Sequence, residues 1–229
     1  MATDKESGTA WNQKSADSSD DNTYETSYEH DIEKIKPKIL YFGTPVVLVS
    51  TVDSEGNVNL SPMSSAWALG NSIVLGLSTL GKTFENLRNT RECTLNFPDG
   101  TMWKNVEKLA PLTGKNPVPE QKSSVFRYEP HKFSASGLTP VMSENVTPPR
   151  VLECQLQMEC SVSNIYDLRE GNFAFAAIVE VRAIAVYAHR DIILDGSHVN
   201  PSVWKPLIYS FRHYFTLGTE LGKSFRSET

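Results

Sequence analysis

Gly76-Leu77-Ser78-Thr79-Leu80-Gly81-Lys82-Thr83 is the stretch whose reading decides the fold. It follows the apolar run Ser72-Ile73-Val74-Leu75 and precedes Phe84, Leu87 and Arg88 at helical spacing, with Thr83 as the expected N-cap. Taken literally it fits the phosphate-loop template G-x-x-x-x-G-K-[ST], and Ile192-Ile193-Leu194-Asp195 imitates the apolar run that ends in a magnesium-binding acid. A phosphate-loop NTPase, however, needs a parallel sheet with helices on both faces. A second reading needs only a helix N-terminus. Its unpaired N–H groups and partial positive charge, joined by the Lys82 ammonium and the hydroxyls of Ser78, Thr79 and Thr83, can hold the terminal phosphate of a mononucleotide. A third reading gives the glycines no ligand, and Gly81 simply opens a helix.

The flanking segments favour antiparallel strands. Pro45-Val46-Val47-Leu48-Val49-Ser50-Thr51-Val52 is rich in β-branched residues and predicts a buried strand. The turn cluster Asp53-Ser54-Glu55-Gly56-Asn57 and the run Val58-Asn59-Leu60 make it half of a hairpin. Leu152, Cys154, Leu156, Met158, Cys160 and Val162 alternate with Glu153, Gln155, Gln157, Glu159 and Ser161, which predicts a long strand with one wet face. A second long strand is expected from Asn172 to Tyr187, with Phe173, Phe175, Ala177, Val179 and Val181 on one face. The short connection through Tyr166-Asp167-Leu168 implies that the two pair antiparallel. Met102 to Leu109 predicts a second helix, and residues 111–131 are irregular. The fold class expected is mainly β: an antiparallel, Greek-key split barrel with two or three short helices.

Composition narrows the function classes. The chain has 229 residues and a formal charge of −5. Nine acids and three lysines fall in residues 1–34, so a disordered acidic arm is expected there and a single, nearly neutral domain over 35–229. The domain has no basic stripe for nucleic acid and no apolar run of the ~18 residues that a membrane span needs. No apolar segment follows the N-terminal charges as in a secretory leader, so a cytoplasmic location is expected. Cys93, Cys154 and Cys160 cannot all pair with one another and are expected as buried free thiols, without metal-ligand spacing.

Asn59-Leu60-Ser61-Pro62-Met63-Ser64-Ser65-Ala66-Trp67 is the other unusual stretch. It is small and polar between strands, and Pro62 interrupts a ladder in a way that frees backbone donors for a ligand. Trp67 is expected in the core, as is Trp103, whereas Trp11 falls in the arm. These segments, with Pro45 to Thr51, Lys82-Thr83-x-x-Asn86-Leu87 and Leu95-Asn96, resemble the flavin reductase-like, FMN-binding split-barrel family (the flavoredoxin and flavin reductase branch). The C-terminal Arg212-His213-Tyr214-Phe215-Thr216-Leu217-Gly218 and Leu221-Gly222 are similar to a tail in one branch of it.

The resemblance covers about residues 35–229 and implies an NAD(P)H-dependent flavin reductase, usually a homodimer, that passes hydride from NADH or NADPH to FMN. By that match Ser61, Pro62, Met63, Ser64 and Ser65 lie along the isoalloxazine. Ser78, Thr79, Lys82, Thr83 and Asn86 hold the ribityl chain and phosphate, and Asn96 touches the flavin or its ribityl chain. His213 is the one histidine considered for the active site, with a surface or interface position as its alternative. The partner of the reduced flavin stays open at this point: a monooxygenase that receives it, a bound small-molecule substrate, or no catalysis at all in a flavin-binding protein. The aromatic end Trp204 to Phe211 is expected to pack on a second subunit, and substrate choice is assigned to residues 111–131.

Overall fold

The computed structural model describes residues 32–168 and 175–227. The acidic arm expected at 1–34 lies outside these residues except for its last three, as do Trp11 and Phe173. Of Met1–Pro37, residues 32–37 carry no regular element. Lys38–Thr229 forms the second unit, which holds every element below.

Among its described residues, ten strands of four or more residues organise this unit. They are β1 Phe42–Pro45, β2 Val47–Val52, β3 Val58–Met63, β4 Ala66–Leu69, β5 Ser72–Ser78, β6 Glu92–Phe97, β7 Leu156–Leu168, β8 Ala176–Ala188, β9 Leu207–Ser210 and β10 His213–Thr216. Three α-helices accompany them: α1 Lys82–Thr90, α2 Trp103–Leu109 and α3 Lys132–Ser136. Seven strands form one sheet in the order β3-β2-β6-β7-β8-β5-β4, and every neighbouring pair is antiparallel. Its edge strands β3 and β4 are consecutive in sequence and joined only by Ser64 and Ser65. Three residue steps span at most about 11 Å, so the sheet curls until its edges meet. The result is a barrel split along the β3/β4 seam. Between β1 and β10, β9 forms a separate three-stranded sheet.

This topology removes the phosphate-loop NTPase reading, because the seven-stranded sheet that holds the loop's strand β5 is antiparallel, not parallel. The quoted stretch itself differs from a phosphate loop. Gly76, Leu77 and Ser78 pair with Ile178, Ala177 and Ala176 inside β5, and only Thr79, Leu80 and Gly81 form a turn before α1.

Two apolar cores flank the sheet, which explains why β2 is buried on both faces. Val47 and Val49 join Leu75, Leu95, Cys160, Val179 and Val181 in one core, with Phe84 and Leu87 of α1 packed into it. Val46 and Leu48 join Leu60, Val106, Leu109, Leu112, Val151 and Leu207 in the other. The three cysteines are free and buried. The predicted hairpin turn also forms: Asp53 Oδ1 accepts from the backbone of Glu55 and Asn57, and Gly56 supplies φ +85°.

Four sequence expectations are corrected. The long strand begins at Leu156, because Leu152 and Glu153 form a turn after the two-residue strand Arg150–Val151. Its second face is not wet: Gln157 and Glu159 are buried beneath residues 142–151, where Glu159 accepts from Glu144 N, Asn145 N and Asn145 Nδ2. The N-cap of α1 is Gly81, not Thr83, which is already helical. Trp67 and Trp103 are 58% and 43% exposed, since β4 is a sheet edge and Trp103 opens α2 at the surface. Within the aromatic C-terminal end, the Trp204 ring stands 6.5 Å from that of Phe97 of the same chain.

Candidate functional site

A cavity of about 470 Å³ opens at the split seam of the barrel. Ser61, Pro62, Met63, Ser64 and Ser65 line it together with Ser78, Lys82 and Thr83, so the two polar stretches of the sequence meet there. Gly76 of β5 lets the Ser64-Ser65 link between β3 and β4 lie close against β5. Its N–H donates to Ser65 O at 2.7 Å, and a Cβ on Gly76 would lie 3.0 Å from Ser65 Cβ. Gly81, Lys82 and Thr83 bring the first turn of α1 to the wall. The leading N–H groups of a helix have no intrahelical partner, and no side chain caps them here.

Lys82 is held before any ligand arrives. Its Nζ donates to Glu85 Oε1 at 2.8 Å and pairs with Asp53 Oδ2 at 3.2 Å. Glu85 is shared with Lys115, whose Nζ donates to its other oxygen. Bonds from the Asn57 backbone and side chain, from Lys82 and from Glu55 hold the Asp53 carboxyl below its usual range, although burial alone would raise it.

Three predicted site residues lie outside the lining. Thr79 donates its N–H to Phe175 O, which ties the turn to β8's start. Asn86 is buried and donates to Thr51 Oγ1 at 3.1 Å. Asn96 is also buried. It donates to Leu48 O and Thr94 Oγ1 and accepts from Val151 N at 2.9 Å, so its amide ties strand 150–151 to the sheet. His213 is exposed, with Nδ1 3.0 Å from Phe211 O, and is likewise not in the lining.

The cavity takes several residues that sequence reasoning missed. Alternation along β10 turns Tyr214 inward beside the exposed His213. Tyr41, Tyr209 and Tyr214 form an aromatic wall with ring centroids 5.6 and 5.5 Å apart. Tyr214 Oη donates to Glu107 Oε2 at 2.8 Å, and burial, then that carboxylate, push its phenol upward. Lys122 and Phe126 come from the irregular segment 111–131, and Lys132 from α3. Lys132 is only 4% exposed, yet no carboxylate pairs with it among the described residues. Burial first, then the charge of Lys122, push its ammonium down to about 8, with Glu129 acting in the opposite sense. No periodicity marks Lys132, because α3 has five residues and its neighbours in space come from α2.

Gly114 lies where the cavity wall meets Lys82. A Cβ there would sit 2.6 Å from Asn59 Oδ1 and 3.1 Å from Lys82 Cγ. Asn59 in turn donates to Thr83 Oγ1 at 2.9 Å. Gly114→Ala is therefore expected to cost about 1–3 kcal/mol by overpacking, and to displace Lys82. Chemical denaturation measures the first effect, and unchanged stability would show that Asn59 yields freely.

No group of histidine, cysteine, aspartate and glutamate side chains that could hold a metal occurs among the described residues, and no helix among them is long and apolar enough to cross a membrane. The class is a split antiparallel barrel with hydroxyls, helical N–H groups, aromatic rings and three lysines around one cavity. Comparison with known proteins gives that class its family. The flavin reductase-like domain model matches residues 39–218. The uncharacterised protein YdfE of Bacillus subtilis (strain 168) is 48% identical over 198 residues, covering 86% of this chain and 95% of YdfE. Flavoredoxin of Desulfovibrio vulgaris (Miyazaki F) has the same fold, with a TM-score of 0.70 at 20% identity over 86% of this chain and 100% of its own. Nitrilotriacetate monooxygenase component B from Bacillus cereus superposes with a TM-score of 0.65 at 18% identity, covering 82% and 90% of the two chains. The chain belongs to the flavin reductase-like family, whose members are flavin-related oxidoreductases.

Proposed function

We propose that the cavity binds FMN and that the protein is an NAD(P)H-dependent FMN reductase acting as a cytoplasmic homodimer. The observation that carries this reading is Lys132. It is a buried ammonium without an anionic partner among the described residues, on the wall of the same cavity as Lys82 and the open first turn of α1. A buried charge of this kind is costly until an anion meets it, and FMN is anionic at its phosphate and, once reduced, at its ring. The residues present therefore fit the group.

When bound, FMN would take hydride from a nicotinamide and pass the electrons on. The protein's share is binding and electrostatics. Lys82 and the N–H groups of α1 take the phosphate, where charge-assisted bonds are stronger than neutral ones. Ser61, Ser64 and Ser65 offer hydroxyls to the polar edge of the ring. Tyr41, Tyr209 and Tyr214 shield the site from water, and Lys132 opposes negative charge developing on the ring. A monooxygenase as recipient of the reduced flavin belongs to the same proposal; the fold shared with a monooxygenase component B supports it.

Lys132 is charged below about 8 and loses its proton as pH rises through that value. Its preference for reduced over oxidised FMN is expected to fall across the same interval. Potentiometry of the FMN complex from pH 6 to 10 should show the midpoint turning more steeply negative above pH 8, and Lys132→Met should abolish that inflection. Failure of the purified protein to retain FMN through gel filtration, as a yellow complex, would overturn the reading.

A further inference from the structure

The lysines around the cavity fall into two groups. Lys82 and Lys115 are paired with Asp53 and Glu85. Lys122 and Lys132 have no carboxylate partner among the described residues, and their charges act on one another. The FMN reading employs Lys82 and Lys132. Lys122 is left over, half-buried on the wall, and burial pushes its ammonium below the usual lysine value.

Its local structure joins it to an aromatic ring. Phe126 N donates to Lys122 O at 2.9 Å, so one turn places both residues on the same side of the segment. The Lys122 Nζ stands 4.7 Å from the Phe126 centroid, a cation–π distance. Both side chains line the cavity beside Leu112 and Tyr214. A single ammonium set in an apolar and aromatic wall suits one monovalent anion on a flat apolar frame. A polyphosphate would ask for several donors, and no arginine lines this cavity.

We propose that Lys122 and Phe126 form a subsite for an aromatic carboxylate, the second ligand of the cavity, placed beside the flavin; the placement rests on the FMN reading above. The carboxylate meets the Lys122 ammonium and the ring lies against the aromatic wall. Residues 111–131 thereby select an anionic partner molecule over a neutral one.

Calorimetric titration of the FMN-loaded protein with benzoate, and with benzamide as its neutral isostere, tests this. Benzoate is expected to bind at least about tenfold more tightly, the worth of one charge-assisted contact. Lys122→Gln should bring the two ligands within about twofold of one another, and Lys122→Arg should keep most of the preference. Equal binding of benzoate and benzamide to the wild-type protein, or a benzoate preference that survives in Lys122→Gln, would overturn the subsite. If FMN itself fails to bind, the flavin reading falls and the placement with it. The same titration of the flavin-free protein then decides the subsite alone: a Lys122-dependent benzoate preference upholds it, and none removes it.

Discussion

Glu159→Ala is expected to destabilise the protein by about 3 kcal/mol, the scale on which a buried ion pair fails when one member is removed. Glu159 is fully buried on β7 and faces Arg150, with Nε 3.3 Å from Oε1. The carboxylate also accepts from Glu144 N at 2.9 Å and from both Asn145 N and Asn145 Nδ2 at 2.8 Å. The alanine variant leaves these donors without their acceptor and the Arg150 guanidinium without its carboxylate, with Gln157 Oε1 and Met142 O still accepting from it. For a domain of this size the melting temperature should fall by about 10 °C. A fall of less than about 2 °C would mean that water replaces the carboxylate without loss.

The same residue gives the stability a pH signature. Burial by itself would raise the Glu159 carboxyl, but the bonds from Glu144, Asn145 and Tyr187 outweigh burial and hold it below its usual value. A carboxyl lowered on folding contributes in full above its unfolded value of about 4.3. That contribution fades as pH falls through the lower folded value. Glu159→Gln should therefore flatten the acid limb of the stability profile, which denaturant melts between pH 3 and 6 would record.

Glu159 also shows where sequence reading stopped. The alternation from Leu156 to Val162 located the strand and its apolar face, because a period of two follows from the pleat itself. It could not show that residues 142–151 lie across the other face, since that cover is non-local and lacks any period. Asn96 illustrates the same limit. Its place after Leu95 matched a family pattern, but its amide is spent on Leu48 O, Thr94 Oγ1 and Val151 N. The split barrel was legible because hairpin turns, alternation and the absence of strand–helix–strand units all pointed to antiparallel pairing. The polar half of the cavity was legible too, as Ser61 to Ser65 and Ser78 to Thr83 are compact runs. The aromatic and cationic half was not. Tyr41, Lys122, Phe126, Lys132, Tyr209 and Tyr214 come from separate segments that only the closed fold assembles.

Lys82→Ala should loosen FMN by about 10- to 100-fold, the loss of a charge-assisted contact of about 1.5–3 kcal/mol, with little change in stability because Lys82 is a partly exposed residue at the start of α1. The structure adds a second, opposite expectation. Lys82 is already bound to Glu85 and Asp53, and Glu85 also engages Lys115. A phosphate arriving at Lys82 must therefore compete with two carboxylates for the ammonium. Glu85→Gln removes one competitor and frees Lys115 as a further cation, so it should tighten FMN severalfold while Lys82→Ala weakens it. Equilibrium titration of FMN quenching in the two variants and the double variant separates the effects. If phosphate binds through Lys82, the gain from Glu85→Gln should shrink markedly in the Lys82→Ala background, as expected for groups that share a partner. A gain of equal size in both backgrounds would locate the phosphate away from Lys82 and leave α1's open turn as its only anchor.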